Sequence, residues 1–354
     1  MKKNLIDGRA LQTYSKYRGI GRYTRQIIEL FKNDNNFKFL FFKGDDIPSD
    51  IKNIITIKYP RKLITFSDKI FLNNYLKREN IEVYHSPIYA LPKKAKSINY
   101  YLSAHDITPL LFPRFYPLKI RIILKEIIKS SKNAKYLITN SNSTKNDILN
   151  YFPQINENKV KVIYPMIDLN FCLTEKKPDI NLPNEYLLYT GGFDRIKNVD
   201  SIIKAVGLLR IPFVFVGMIK DEYKKHMLKN LSEEKQKLFY FTGFVSDEEL
   251  SYLYKKASVF LFLSLNEGFG YPPLEALKCG TVSVLSNRGS LKEVMGDSGV
   301  YVENPLNIEE IVEKVKFTLN NRELKDKILK NKEKILDKYS PRNFKENLLK
   351  IYNE

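Results

Sequence analysis

Short apolar runs recur along this chain, each followed by a polar or glycine-bearing turn and then by apolar residues at helical spacing. In the first half the runs cover residues 5–7, 37–42, 54–57, 136–141 and 160–165, with others ending at residue 87 and, from residue 99, at His105-Asp106. In the second half they cover 186–190, 212–217, 238–242, 257–264 and 281–286. Their length and β-branched or aromatic content predict strands buried on both faces, as in a parallel sheet. Between them, Ile27, Ile28, Leu30 and Phe31 predict one amphipathic helix, and Ile202, Ile203 and Val206 another. Strand and helix alternate through both halves. The expected fold is therefore α/β, with two doubly wound Rossmann-like domains facing across a cleft. The first would span 1–165 and the second 184–335. Residues 166–183, polar and carrying Pro178 and Pro183, read as a linker, and 336–354 as a terminal helix.

Composition sharpens this. A chain of 354 residues exceeds the usual single-domain size. No apolar run approaches the ~20 residues of a membrane-spanning helix. The first residues are basic but lack the apolar core of a signal peptide. The two cysteines, Cys172 and Cys279, fall in different predicted segments, which suggests reduced thiols and a cytoplasmic location. Net charge is +19 and unevenly placed: residues 1–170 hold 30 Lys and Arg against 14 Asp and Glu, a net of +16. Such asymmetry points to an anionic partner, either nucleic acid or acidic lipid. On a helix starting at Leu118, residues Arg121, Lys125, Lys129 and Lys132 form a basic stripe beside Ile122, Ile123, Leu124, Ile127 and Ile128. With Lys93, Lys94 and Lys96 nearby, this reads either as a solvated face or as a membrane-docking one.

The most informative stretch is residues 266–280, Asn-Glu-Gly-Phe-Gly-Tyr-Pro-Pro-Leu-Glu-Ala-Leu-Lys-Cys-Gly, set between two predicted strands. Gly268 and Gly270 would let the backbone turn free amides toward an anion. Glu267 in the loop and Glu275 in the first turn of the following helix supply carboxylates for hydroxyl groups. A glutamate early in a helix also serves simply as a partner of the macrodipole. The stretch as a whole resembles the E-x7-E region of the family-4 retaining glycosyltransferases, and the likeness continues through Ser286 to Ser290 and Glu293 to Asp297.

Three other motifs carry the same resemblance. Gly19-Ile20-Gly21-Arg22-Tyr23 is similar to the family's glycine loop, which faces the donor phosphates. His105-Asp106, at the end of a predicted strand, resembles the motif whose histidine approaches the transferred sugar. His85 lacks that context. Gly191 to Asn198 resembles the Arg-Lys-Asn phosphate motif, except that Ile196 stands where an arginine commonly precedes Lys197. Arg195 is one residue away. Gly243-Phe244-Val245 resembles the loop whose backbone lies beside the base, and Ser246 with Glu249 predicts a capping box.

The resemblance implies the GT-B arrangement, with the terminal helix crossing back to the first domain. It also implies transfer of a sugar from a nucleotide sugar with retention. His105 and Glu267 would then be catalytic, and Gly19, Gly21, Arg195, Lys197, Val245, Gly268, Phe269, Gly270 and Glu275 would bind the donor. No cofactor or metal is expected: the sequence has no Asp-x-Asp motif, so cations and helix N-termini would neutralise the leaving diphosphate. The wording of the motifs is similar to that of bacterial polysaccharide mannosyl- and rhamnosyltransferases. That favours GDP-mannose over UDP-linked donors, with a lipid-linked or growing surface glycan as acceptor and a peripheral place on the inner membrane face. Retention by a covalent intermediate or by same-face attack stays open, as does a nucleotide-sugar epimerase or sugar phosphorylase on this architecture. The alternative of another class is a nucleic-acid or anionic-surface binding protein with a degenerate site.

Overall fold

A computed structural model describes residues 2–44, 47–58, 68–168 and 170–354. The chain divides into two compact units, residues 1–166 with 341–354, and residues 167–340.

The first unit is built on seven parallel strands: β1 (Asn4–Asp7), β2 (Phe37–Phe42), β3 (Ile54–Ile57), β4 (Val83–Ser86), β5 (Asn99–Ala104), β6 (Tyr136–Thr139) and β7 (Val160–Val162). Their order is β3-β2-β1-β4-β5-β6-β7. Neighbouring residues along a strand serve opposite faces: Leu5, Leu40 and Leu102 enter one apolar cluster, while Ile6, Phe39 and Tyr101 enter the other. This two-sided burial explains why the strands read as continuous apolar runs. The last helix, Pro341–Asn353, completes the second cluster with Phe344, Leu348, Ile351 and Tyr352, and the Tyr101 hydroxyl donates to the carbonyl of Ile351 at 2.6 Å.

The second unit carries six parallel strands: β8 (Leu187–Thr190), β9 (Phe213–Val216), β10 (Phe239–Gly243), β11 (Val259–Phe262), β12 (Ser283–Ser286) and β13 (Gly299–Val302). Their order is β10-β9-β8-β11-β12-β13. In both sheets the chain starts in the middle and reverses direction of growth. The switch lies between β1 and β4 in the first sheet and between β8 and β11 in the second. Loops leaving the carboxyl ends of those strands bound the crevice where such sheets take ligands.

Three readings are corrected here. Cys172 and Cys279 are not separate: a disulfide joins them, with Cα atoms 5.6 Å apart across 107 residues of sequence. The Gly19 to Tyr23 stretch, expected as a glycine loop, is helical: a 3-10 turn (Tyr14–Tyr17) leads directly into the helix Gly19–Phe31. Strand β13 also escaped the sequence reading, its apolar side chains being interrupted by Gly299 and Tyr301.

Candidate functional site

At the switch of the second sheet, β8 runs into Gly191, Gly192 and Phe193 and then a 3-10 turn, Arg195–Lys197. Asn198 ends the turn in the left-handed region with φ 54°. Its amide donates to the carbonyls of Leu263 and Pro305 at 3.1 and 2.6 Å, and its oxygen accepts from Ser201 at 2.8 Å. This buried asparagine fixes the turn to the loop after β11. Ile196 is only 4% exposed, and its carbonyl accepts from the amide of Leu265. The residue that departs from the family pattern is thus a core side chain. Arg195 is exposed, and its charge is felt by the Tyr223 hydroxyl.

Lys197 and Glu267, from the two switch loops, meet: Nζ donates to Oε1 at 2.6 Å, with side-chain exposures of 23% and 13%. The lysine also lies 5.7 Å from the centre of the Phe262 ring. The side chain of Phe269, a candidate donor-binding residue, packs in the core, 3% exposed and edge-on to Tyr271 and Tyr339. Only its backbone is left for a ligand. Gly270, at φ 90°, caps the helix Tyr271–Lys278, and a Cβ there would meet Leu291 at 2.7 Å. Glu275 stands in the second turn of that helix, not the first. It is 4% exposed and accepts from the Tyr254 hydroxyl at 3.1 Å. Tyr254 is in turn held by Thr190 at 2.9 Å. Val245 is buried beside Gly243, and the Ser246–Glu249 capping box forms as expected.

Two supports were missed. Gly289 sits at φ 57° against the loop, where a Cβ would lie 2.5 Å from the carbonyl oxygen and 2.6 Å from the amide of Glu267. Tyr254, on the helix Asp247–Lys256, positions Glu275. Gly289 lies in the Ser286 to Ser290 stretch of the resemblance but carries no role there, and Tyr254 lies in no motif, so the fold alone reveals what each supports.

In the first unit, Gly19 is exposed at the start of its helix. Gly21 has a packing reason: a Cβ there would lie 2.3 Å from the carbonyl oxygen of Ser15. Arg9, also at the switch, is fully buried between Asp7 and Asp68, donating to both. His105 follows β5 directly. Its Nε2 donates to the carbonyl of Pro87 at 2.8 Å, so Nε2 carries the proton and Nδ1 is the basic nitrogen. Burial lowers its pKa below the ordinary imidazole value. His85 is a fully buried core histidine whose pKa burial pushes down to about 3, with His105 adding to the shift.

The comparisons with known proteins divide as the fold does. Residues 17–171 match the description "Glycosyltransferase Family 4", and residues 173–335 match "Glycosyl transferases group 1". The chain belongs to the family-4 glycosyltransferases. It is 29% identical over 247 residues to O-antigen chain mannosyltransferase B of Escherichia coli, covering 65% of this chain and 63% of that protein. It is 27% identical to the serotype-specific mannosyltransferase WbdA of the same organism, covering 87% of this chain but 42% of that one. The chain thus spans less than two thirds of either relative. Among solved structures, sucrose-phosphate synthase from Thermosynechococcus elongatus superposes with a TM-score of 0.79 at 16% identity, covering 100% of this glycosyltransferase and 98% of that chain. That likeness shows the GT-B fold.

Proposed function

We propose that this glycosyltransferase moves mannose from GDP-mannose, with retention at the anomeric carbon, to a lipid-linked or growing surface glycan. The observation that carries the donor reading is the Lys197–Glu267 pair at the switch of the second sheet. A diphosphate there competes with Glu267 for the lysine, and Glu275 on the next helix takes ribose hydroxyls. The amides of Gly268 to Gly270 orient the sugar, and Val245 borders the base. In the first unit, His105 is assigned to the transferred sugar and the Gly19 helix start to phosphate. Lys197 supplies positive charge to the leaving diphosphate, so turnover proceeds in a chelator. The mannose preference rests on the names of the two relatives.

The test is a panel of GDP-, UDP- and dTDP-sugars with a polyprenyl-diphosphate glycan acceptor, read by nucleotide release and by the anomeric coupling of the product. Turnover of GDP-mannose to an α-linked product supports the reading. GDP at 100 times its Kd should add roughly 2.7 kcal/mol to stability. Release of nucleotide without acceptor, or nucleic-acid binding with a steep salt dependence and no turnover of any sugar, would defeat it.

We further propose that the basic unit docks on anionic membrane. Among the described residues no helix is long and apolar enough to cross a membrane. On the helix Leu118–Lys129, however, Ile128 faces the core while Leu118 and Ile122 are 62% and 52% exposed, beside Lys119, Lys125 and Lys129. The outward face thus mixes apolar and basic side chains, the combination that binds an acidic lipid surface. Flotation with phosphatidylglycerol vesicles should be strong for the wild type. It should drop at least several-fold when Lys125 and Lys129 become Glu and Ile122 becomes Ser; unchanged flotation of that triple variant would refute the docking face.

A further inference from the structure

A continuous hydrogen-bonded chain crosses the core of the first unit. The Tyr352 hydroxyl, on the last helix, lies 2.5 Å from His85 Nδ1 on β4. His85 Nε2 lies 2.7 Å from the Ser103 hydroxyl on β5, and that hydroxyl lies 2.9 Å from the hydroxyl of Tyr23 on the Gly19–Phe31 helix. The Tyr23 ring then packs edge-on against the His105 imidazole, with centroids 4.6 Å apart. Phe344, also on the last helix, touches the same Tyr23 ring at 5.6 Å. All four members of the chain are buried.

Four polar groups in a core cost stability unless every one is satisfied, and apolar residues of the same size would pack without that cost. What the chain supplies is orientation. It ties three secondary elements to one ring, and that ring forms one wall of His105, whose other fixed point is the Pro87 carbonyl. With His85 held neutral, each link is a hydroxyl–imidazole or hydroxyl–hydroxyl bond, and its direction is set by its neighbours.

We propose that Tyr352, His85 and Ser103 are positioning residues that act through Tyr23 to hold the His105 imidazole, making the last helix part of the transfer machinery. This rests on the reading that His105 contacts the transferred sugar.

The test separates the two claims. The chain has three histidines, so a proton–nitrogen correlation spectrum of the imidazoles can be assigned with single-histidine variants of the full chain. In the wild type, His105 should show the Nε2-protonated form, and His85 should not titrate between pH 5 and 9. Ser103→Ala breaks the chain at its centre, and Tyr352→Phe breaks it at its end with little change in shape. Both should move the His105 resonances, and both should lower kcat roughly tenfold with the donor KM held within about twofold. Ser103→Thr, which keeps the hydroxyl, should restore both. If either variant shifts only His85 and leaves the His105 signals and kcat as they were, the coupling is refuted. Full turnover by His105→Ala would instead refute the sugar contact, while the spectrum still decides the coupling.

Discussion

Replacing Lys197 by methionine should lower kcat about 10²- to 10³-fold while leaving the fold intact. The expectation follows from where the lysine is held rather than from its charge alone. Its turn is anchored by Asn198, whose side chain reaches the carbonyls of Leu263 and Pro305, and by the buried Ile196. Methionine keeps an apolar stem of similar length and takes away the ammonium, which lies 5.7 Å from the centre of the Phe262 ring. Glu267 then loses its partner, but at 13% exposure it keeps some contact with water, so the penalty to stability is modest. What is lost falls on the leaving diphosphate, where one positioned donor is worth about 10² to 10³ in rate. Lys197→Arg should recover part of that, since the charge returns with a different shape. Steady-state rates with saturating donor decide the matter. A methionine variant within threefold of the wild type would remove Lys197 from the leaving group.

How far the sequence discloses this arrangement depends on the kind of information involved. Apolar runs such as 37–42 and 54–57 return as β2 and β3 with the same bounds, because strands buried on both faces leave an uninterrupted pattern. Lys197 and Glu267 are readable as separate candidates. That they touch is not, since the contact is made by two switch loops 70 residues apart. Gly289 is visible within the Ser286 to Ser290 stretch, but its role is not, for a similar reason: its need for a missing Cβ comes from the backbone of Glu267. The cysteines mislead outright. Spacing of 107 residues says nothing of a disulfide that depends on the end of the Tyr271–Lys278 helix lying beside Cys172. Gly21 adds a structural requirement that its motif does not disclose. A glycine in a phosphate-loop pattern turns out to be required by the carbonyl of Ser15, whatever else it does.

Glu275→Gln should weaken binding of GDP and of the intact nucleotide sugar alike, by roughly 10² to 10⁴ in Kd. Each hydroxyl donating to a carboxylate contributes about 1.5–3 kcal/mol, and ribose offers two. The amide is nearly isosteric, and its oxygen still accepts from the Tyr254 hydroxyl, itself braced by Thr190, so the helix Tyr271–Lys278 should hold its place. Its nitrogen, however, can only donate, and the charge is gone. A ribose contact is made equally in the ground state and the transition state. The loss should therefore appear in KM, with kcat at saturating donor little changed. That is the opposite of Lys197→Met, which should spare KM and strike kcat. Titration calorimetry with GDP and initial rates with GDP-mannose give both numbers on the same protein. If Glu275→Gln cuts kcat at saturation and leaves GDP affinity untouched, the carboxylate serves the reacting sugar rather than the ribose, and the orientation of the donor along the β8–β11 switch must be reversed.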